Sequence, residues 1–200
     1  MSTRRKLLRG VTPVIVSMVV ISALTTIAVC IAEPTTQQGP IKPTVLQECF
    51  APTQDCQPMI VHALDSAEHE VYVCAYVLTD TGIINALISA HARGVEVTVV
   101  LDAQQAASKF SGKDALAKAG IPVYIDHKHR IMHNKVMVID WCTLITGSYN
   151  FTNSARKYNA ENLLIEESPE LCVLYLANIK EHISHSVRYT PISNSGEIKK

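Results

Sequence analysis

Near the middle of this 200-residue chain His133 and Lys135 stand two positions apart, and fifteen residues further on Ser148 and Asn150 do the same. In a strand, side chains two apart project to one face, so an imidazole and an ammonium emerge side by side while Asn134 and Val136 point the other way. An imidazole can attack phosphorus. A lysine with an asparagine amide can hold the non-bridging oxygens whose charge grows in the transition state. These residue types suit phosphodiester chemistry with no metal and no other cofactor. Val136 and Val138 can anchor the strand in the core. Gly147 permits close backbone approach on a partner strand and brings Ser148 and Asn150 towards the same rim.

The surrounding periodicities supply the elements that must hold this group. Residues 57–68 carry Ile60, Val61, Ala63, Leu64 and Ala67 at helical spacing, and 71–77 is the short apolar run of a buried strand. Residues 81–91 form a second helix with a stripe of Ile83, Ile84, Leu87 and Ile88, ended by Gly94, and 95–101 is the next strand. Strand, helix and strand with short connections make a right-handed βαβ unit, so the fold is α/β with neighbouring parallel strands. A weaker helix at 111–119 and a strand at 122–125 follow. Residues 134–139 and 143–146 read as a hairpin turning at Asp140, Trp141 and Cys142, then a strand at 162–165 and an amphipathic helix at 171–185. The expected architecture is one domain, a mixed sheet flanked by helices.

The N-terminus opens with Arg4, Arg5, Lys6 and Arg9 and then runs uncharged over 11–32, the pattern of an export signal or a membrane anchor. The expected organisation is therefore an export segment at 1–32, a Pro-, Thr- and Gln-rich linker at 33–47, a catalytic domain at 48–190 and a tail at 191–200. Export implies a periplasmic or secreted protein, with membrane association through residues 11–32 if the segment is retained. Beyond residue 32 the chain has fourteen basic and eighteen acidic residues, a formal −4, so any nucleic-acid contact must come from a local basic groove. Outside the cytosol Cys49, Cys56, Cys142 and Cys172 are candidates for pairing, and Cys49 with Cys56 would close a small loop. Spacing alone does not settle the connectivity.

The stretch from His133 to Asn150 resembles the motif of the phospholipase D superfamily, His-x-Lys-x4-Asp-x6-Gly-Ser-x-Asn, and meets every fixed position. The run from Ala63 to Asp102, with Tyr76, Leu78, Thr79, Ala90, Arg93, Gly94 and Val95, is similar to the first βαβ unit of that superfamily's small bacterial nucleases. The resemblance covers about 50–185 and implies a phospholipase D-like fold. It also implies hydrolysis through a phosphohistidine intermediate, with His133 as nucleophile in one subunit and acid/base in the other. Only one motif exists here, so the resemblance implies a homodimer with both motifs facing across the seam. Lys135 and Asn150 would bind phosphate, Ser148 would assist, and Glu161, eleven residues after Asn150, matches a family glutamate that orients the imidazole. Asp140 completes the motif, but its place at the hairpin turn, on the opposite parity from His133, reads as structural.

Lys128, Arg130, Arg156 and Lys157 are the candidate substrate contacts. His127, His129 and His133 alternate along one segment, and His182 and His185 share a helix face. Neither set has an accompanying carboxylate at ligand spacing in the sequence, so no metal site is expected. Trp141, Tyr149 and Phe151 read as hairpin packing rather than base-stacking platforms. The substrate expected is nucleic acid, DNA and RNA, cut by a nonspecific endonuclease. The alternative is a cardiolipin-like phospholipid.

Overall fold

The computed structural model describes residues 46–191. The export segment, most of the linker and the tail expected from the sequence lie outside them. Among the described residues no helix is long and apolar enough to cross a membrane.

The elements are β1 (Leu46–Ala51), α1 (Gln57–Asp65), β2 (Glu70–Ala75), α2 (Thr81–Ala92), β3 (Glu96–Asp102), α3 (Ala103–Ala106), α4 (Lys113–Lys118), β4 (Val123–Asp126), β5 (Lys135–Ile139), β6 (Thr143–Gly147), α5 (Asn153–Lys157), β7 (Glu161–Glu167), α6 (Pro169–His185) and β8 (Val187–Arg188). The eight strands form one mixed sheet in the order β1-β7-β6-β5-β2-β3-β4-β8. The expected βαβ unit is present: β2 pairs parallel with β3 and β3 with β4, while the remaining pairs are antiparallel. The expected α/β fold with a mixed sheet between helices is therefore the one observed. Strand β1 takes in Leu46 and Gln47, which the sequence reading assigned to the linker, and it pairs in full with β7.

Helices begin where short polar side chains can take the first free N–H groups. The Asp80 carboxylate accepts from Gly82 and Ile83 at the start of α2. Ser168 caps α6 with Pro169 in its first turn, where a missing N–H costs nothing. Gly94, at φ 102°, lets the chain leave α2 and turn into β3.

Both faces of the sheet are covered, which is why β5 reads as five consecutive buried residues rather than an alternation. Met137 and Ile139 join the larger core with Ile60, Leu64, Ile83 and Leu87 from α1 and α2. Val136 and Val138 join Cys74, Val100, Cys172 and Ile179 on the face covered by α6. Of the four cysteines open to pairing, Cys49 and Cys56 form a disulfide, whereas Cys142 and Cys172 are free. Burial pushes the Cys172 thiol up to about 12.

Between β5 and β6 the chain reverses through Asp140 and Trp141, both at positive φ (51° and 59°). The Asp140 carboxylate makes that turn useful by accepting from the backbone N–H groups of Glu68, His69 and Glu70, each at 2.8 Å. Burial opposes ionisation there, but these three donors hold the Asp140 carboxyl below its ordinary value of 3.8. The stabilisation is complete above that ordinary value and is lost as pH falls through the lowered folded one. Asp140→Ala is expected to cost about 1 kcal/mol, since it leaves the part-buried Glu70 N–H and two exposed N–H groups without their acceptor. Urea unfolding should show this difference at neutral pH and show it shrinking on acidification.

Candidate active site

Strands β2, β3 and β4 end side by side, and the site is built on that carboxyl edge, where the strand direction changes between β2 and β5. Open α/β sheets leave a crevice at such a place. Ala75 at the end of β2 pairs with Lys135 at the start of β5, and the Tyr76 N–H donates to the Asn134 carbonyl at 2.6 Å. His133 therefore precedes the strand instead of lying in it, which corrects the expectation that both residues sit on the ladder. The imidazole is exposed, and Lys135 is only 7 % exposed.

Tyr76 joins the two. Its ring centroid lies 4.5 Å from that of His133, and the Lys135 ammonium stands 5.0 Å from the same ring. Lys135 Nζ also donates to the His133 carbonyl at 3.0 Å. Burial pushes the Lys135 pKa down from its usual value, opposed by the nearby Glu161 carboxylate. The Tyr76 hydroxyl accepts from Gln105 Nε2 at 3.0 Å, which fixes the ring. Sequence reasoning placed Tyr76 within the βαβ resemblance but gave it no place in the site; its position just past the end of β2 was the available signal.

Gly147 lies at φ 147°, and a Cβ there would come within 2.3 Å of the Asn162 carbonyl oxygen, so the expected close approach is real. That carbonyl accepts from the N–H groups of Ser148 and Tyr149. The Ser148 hydroxyl donates to Glu161 Oε2 at 2.6 Å, and Asn159 Nδ2 donates to Glu161 Oε1 at 3.0 Å. Both oxygens of Glu161 are thus engaged within the chain, and neither bonds His133. Within one chain Glu161 therefore fixes Ser148 and offsets the Lys135 charge, and it makes no hydrogen bond with the imidazole of the same chain. Asn150 follows, with its side-chain oxygen buried and without a hydrogen-bond partner.

Among the remaining candidates only Arg156 is engaged otherwise than expected. Asp140, counted with the catalytic motif, sits at the far end of β5, about 17 Å of extended chain from Lys135, and its carboxylate is committed to the β2 approach. Arg156, a candidate phosphate contact, makes a two-point ion pair with Asp55, Nε to Oδ1 at 2.8 Å and an NH2 group to Oδ2 at 2.5 Å. Lys128, Arg130 and Lys157 remain exposed. Tyr149 and Phe151 are fully buried and Trp141 is 47 % exposed, so the first two belong to packing.

The segment that delivers His133 is held by two buried carboxylates. Asp102, at the end of β3, accepts from Met132 N–H at 2.9 Å and Gln105 N–H at 3.0 Å. Asp126, at the end of β4, accepts from the N–H groups of Lys128 and His129. Its other oxygen faces ring nitrogens of His129, His182 and His185. The two histidine sets that the sequence keeps apart therefore share a carboxylate, without His127 or His133.

Comparison with known proteins agrees with this geometry. The sequence matches the family described as "Cardiolipin synthase, PLD-like domain" over residues 60–183. It is 46% identical over 130 residues to a Rickettsia conorii phospholipase D, covering 65% of this chain and 65% of that relative, so the chain spans just under two thirds of its length. It is 37% identical over 117 residues to the human mitochondrial cardiolipin hydrolase, covering 58% of this chain and 46% of that one. Among solved structures, the phospholipase D family member Nuc from Salmonella typhimurium superposes with a TM-score of 0.71 at 30% identity, covering 74% of this chain and 99% of Nuc. A match from α1 to the end of α6 that takes in the whole His133–Asn150 motif makes the chain a member of the phospholipase D superfamily.

Proposed function

We propose that the chain is a phosphodiesterase that cleaves nucleic acid through a phosphohistidine, acting as a homodimer with no metal in the reaction. The observation that carries this reading is an exposed His133 imidazole beside a buried Lys135 ammonium at the carboxyl edge of the sheet. A phosphate diester drawn to Lys135 would meet the imidazole at once, and the low-polarity surroundings of the ammonium strengthen its pull on the non-bridging oxygens.

In the first step a bond forms between a His133 ring nitrogen and phosphorus as the bond to the leaving ester oxygen breaks, and that oxygen takes a proton. In the second, water attacks phosphorus, the N–P bond breaks, and the proton of water goes to a base. Both transfers need a second acid/base group. Glu161 is occupied by Ser148 and Asn159, so the group is assigned to the partner's His133 in a two-fold dimer. Asn150 can turn its amide donors towards a phosphate oxygen.

Exposed Lys128, Arg130 and Lys157 offer cationic groups to a polyanion, and the likeness to Nuc extends over nearly all of that protein. A disulfide between Cys49 and Cys56 fits an exported, periplasmic or secreted protein. The second reading, a cardiolipin-like phospholipid, draws on the names of the phospholipase D and cardiolipin hydrolase relatives. It also draws on Ile131, 46% exposed two residues before His133.

Without added divalent ions, the wild-type chain is expected to cut plasmid DNA, single-stranded DNA and RNA. His133→Ala is expected to lower the rate by about 10³-fold or more while keeping the thermal transition; selective turnover of cardiolipin vesicles would favour the phospholipid reading. Lys135 acts as a cation, so activity should fall as pH rises through a pKa below the usual 10.5. Lys135→Arg, whatever its cost in rate, should move that alkaline limb upward because a guanidinium stays charged. Dilution through the dimer's dissociation range should lower specific activity, followed by enzyme assay alongside sedimentation; a fully active monomer would contradict the shared site.

A further inference from the structure

We infer that Asp126, His129, His182 and His185 form a binding site for a divalent transition-metal ion of the zinc type, separate from the phosphate site and structural in its role. This inference does not rest on the phosphodiesterase reading. One ligand atom from each of the four residues lies within 4.8 Å of all the others. Asp126 Oδ2 is 2.9 Å from His129 Nδ1, 2.8 Å from His182 Nδ1 and 3.2 Å from His185 Nε2. A tetrahedral zinc ion with bonds of about 2.0–2.1 Å sets its ligand atoms about 3.3 Å apart, so these three spacings lie within about half an ångström of a zinc tetrahedron's edges.

The donor set also fits a cation better than it fits itself. Without one, three imidazoles must each direct an N–H at a single carboxylate oxygen, one more than its two in-plane lone pairs accept well. A cation reverses the demand, because each ring then offers a lone pair and the carboxylate offers its charge. Asp126 is prepared for one-point ligation, since Oδ1 is already held by Lys128 N–H at 2.9 Å and His129 N–H at 3.2 Å. His182 and His185 lie three apart in the last turn of α6 and so share a helix face. The His129 side chain is 41% exposed and gives an ion a way in, while the other three are 0–16% exposed and exclude water behind it.

The contacts behind His182 agree. The Asn134 amide stands 3.3 Å from His182 Nε2 and 3.7 Å from Cys74 Sγ. A histidine bound to metal through Nδ1 carries its proton on Nε2 and needs an acceptor there. Turning the Asn134 amide over, a choice of orientation its environment decides, supplies that acceptor to both Nε2–H and the Cys74 thiol. Asn134 lies between His133 and Lys135, so the ion would fasten β4, α6 and the segment presenting the imidazole without touching substrate.

The test uses the full chain, expressed in zinc-supplemented medium and purified without chelator, with metal content measured by plasma mass spectrometry. About one zinc per chain is expected. Removal of that zinc should lower the thermal transition and readdition restore it, and a cobalt-substituted chain should show the visible absorption of a tetrahedral His-rich site. His129→Ala with His185→Ala should lose the bound equivalent and the zinc-dependent rise. His127→Ala, a neighbouring histidine outside the cluster, should keep both. Absence of zinc uptake by the wild type would overturn the site, as would equal uptake by the double variant. So would a transition indifferent to zinc that responds only to pH, the behaviour of a proton-binding cluster. These readouts stand whether or not the chain hydrolyses any phosphodiester.

Discussion

The structure depends on holding one exposed imidazole steady over a buried ammonium, and the constraint that achieves this is the burial of charge at the carboxyl edge of β2, β3 and β4. Carboxylates and ammonium groups resist leaving water unless backbone or side-chain partners replace it. Asp102 is 1% and Asp126 0% exposed, and each is satisfied by N–H groups of the segment that carries His133. The need to satisfy these carboxylates is thus what shapes that segment. Lys135 follows the same logic. Its neighbours along β5 are all buried, so the strand carries the ammonium inward, where the His133 carbonyl, the Tyr76 ring and the Glu161 charge replace part of its lost hydration.

The sheet converts this local chemistry into a rigid platform. Apolar layers on both faces fix β5 from above and below, and a one-residue shift in its register would turn Lys135 out of the site and bring Val136 into it. Asp140 secures the opposite end of the same strand by holding the chain just before β2. Tension between the two ends is avoided because both are tied to β2, one through Ala75 and Tyr76 and the other through Glu70. The most conspicuous carboxylate of the motif therefore works as a strut.

What the sequence revealed follows from how far apart the cooperating residues lie. His133, Lys135, Ser148 and Asn150 fall within eighteen positions, so their spacing and motif order were enough to group them, although His133 lies just before β5 rather than in it. The βαβ unit was legible from apolar periodicity. Strand β1 was missed because much of its length adjoins a Pro- and Thr-rich stretch and its partner, β7, is over a hundred residues away. The engagement of Arg156 with Asp55 and the arrival of His182 and His185 at Asp126 join residues 56 to 101 positions apart. No local pattern encodes such contacts; they exist only once the sheet order is set. Glu161 was found by its distance from Asn150, but its partners depended on a β6–β7 register that spacing does not give.

The edge strand β1 has one more bearing on the site. Ala51 lies opposite Glu161, and the bond between Cys49 and Cys56 closes the loop that leaves that end of β1. Asp55, inside the same loop, holds Arg156 of α5, which follows directly on Asn150. An outer strand paired on one side is where a sheet opens first. With the cross-link cut, fraying of that edge would reach the Glu161 and Asn150 supports before any other part of the centre. The redox state of the surroundings would thereby bear on how readily the rim around Glu161 and Asn150 opens, at a distance from the sulfur atoms themselves.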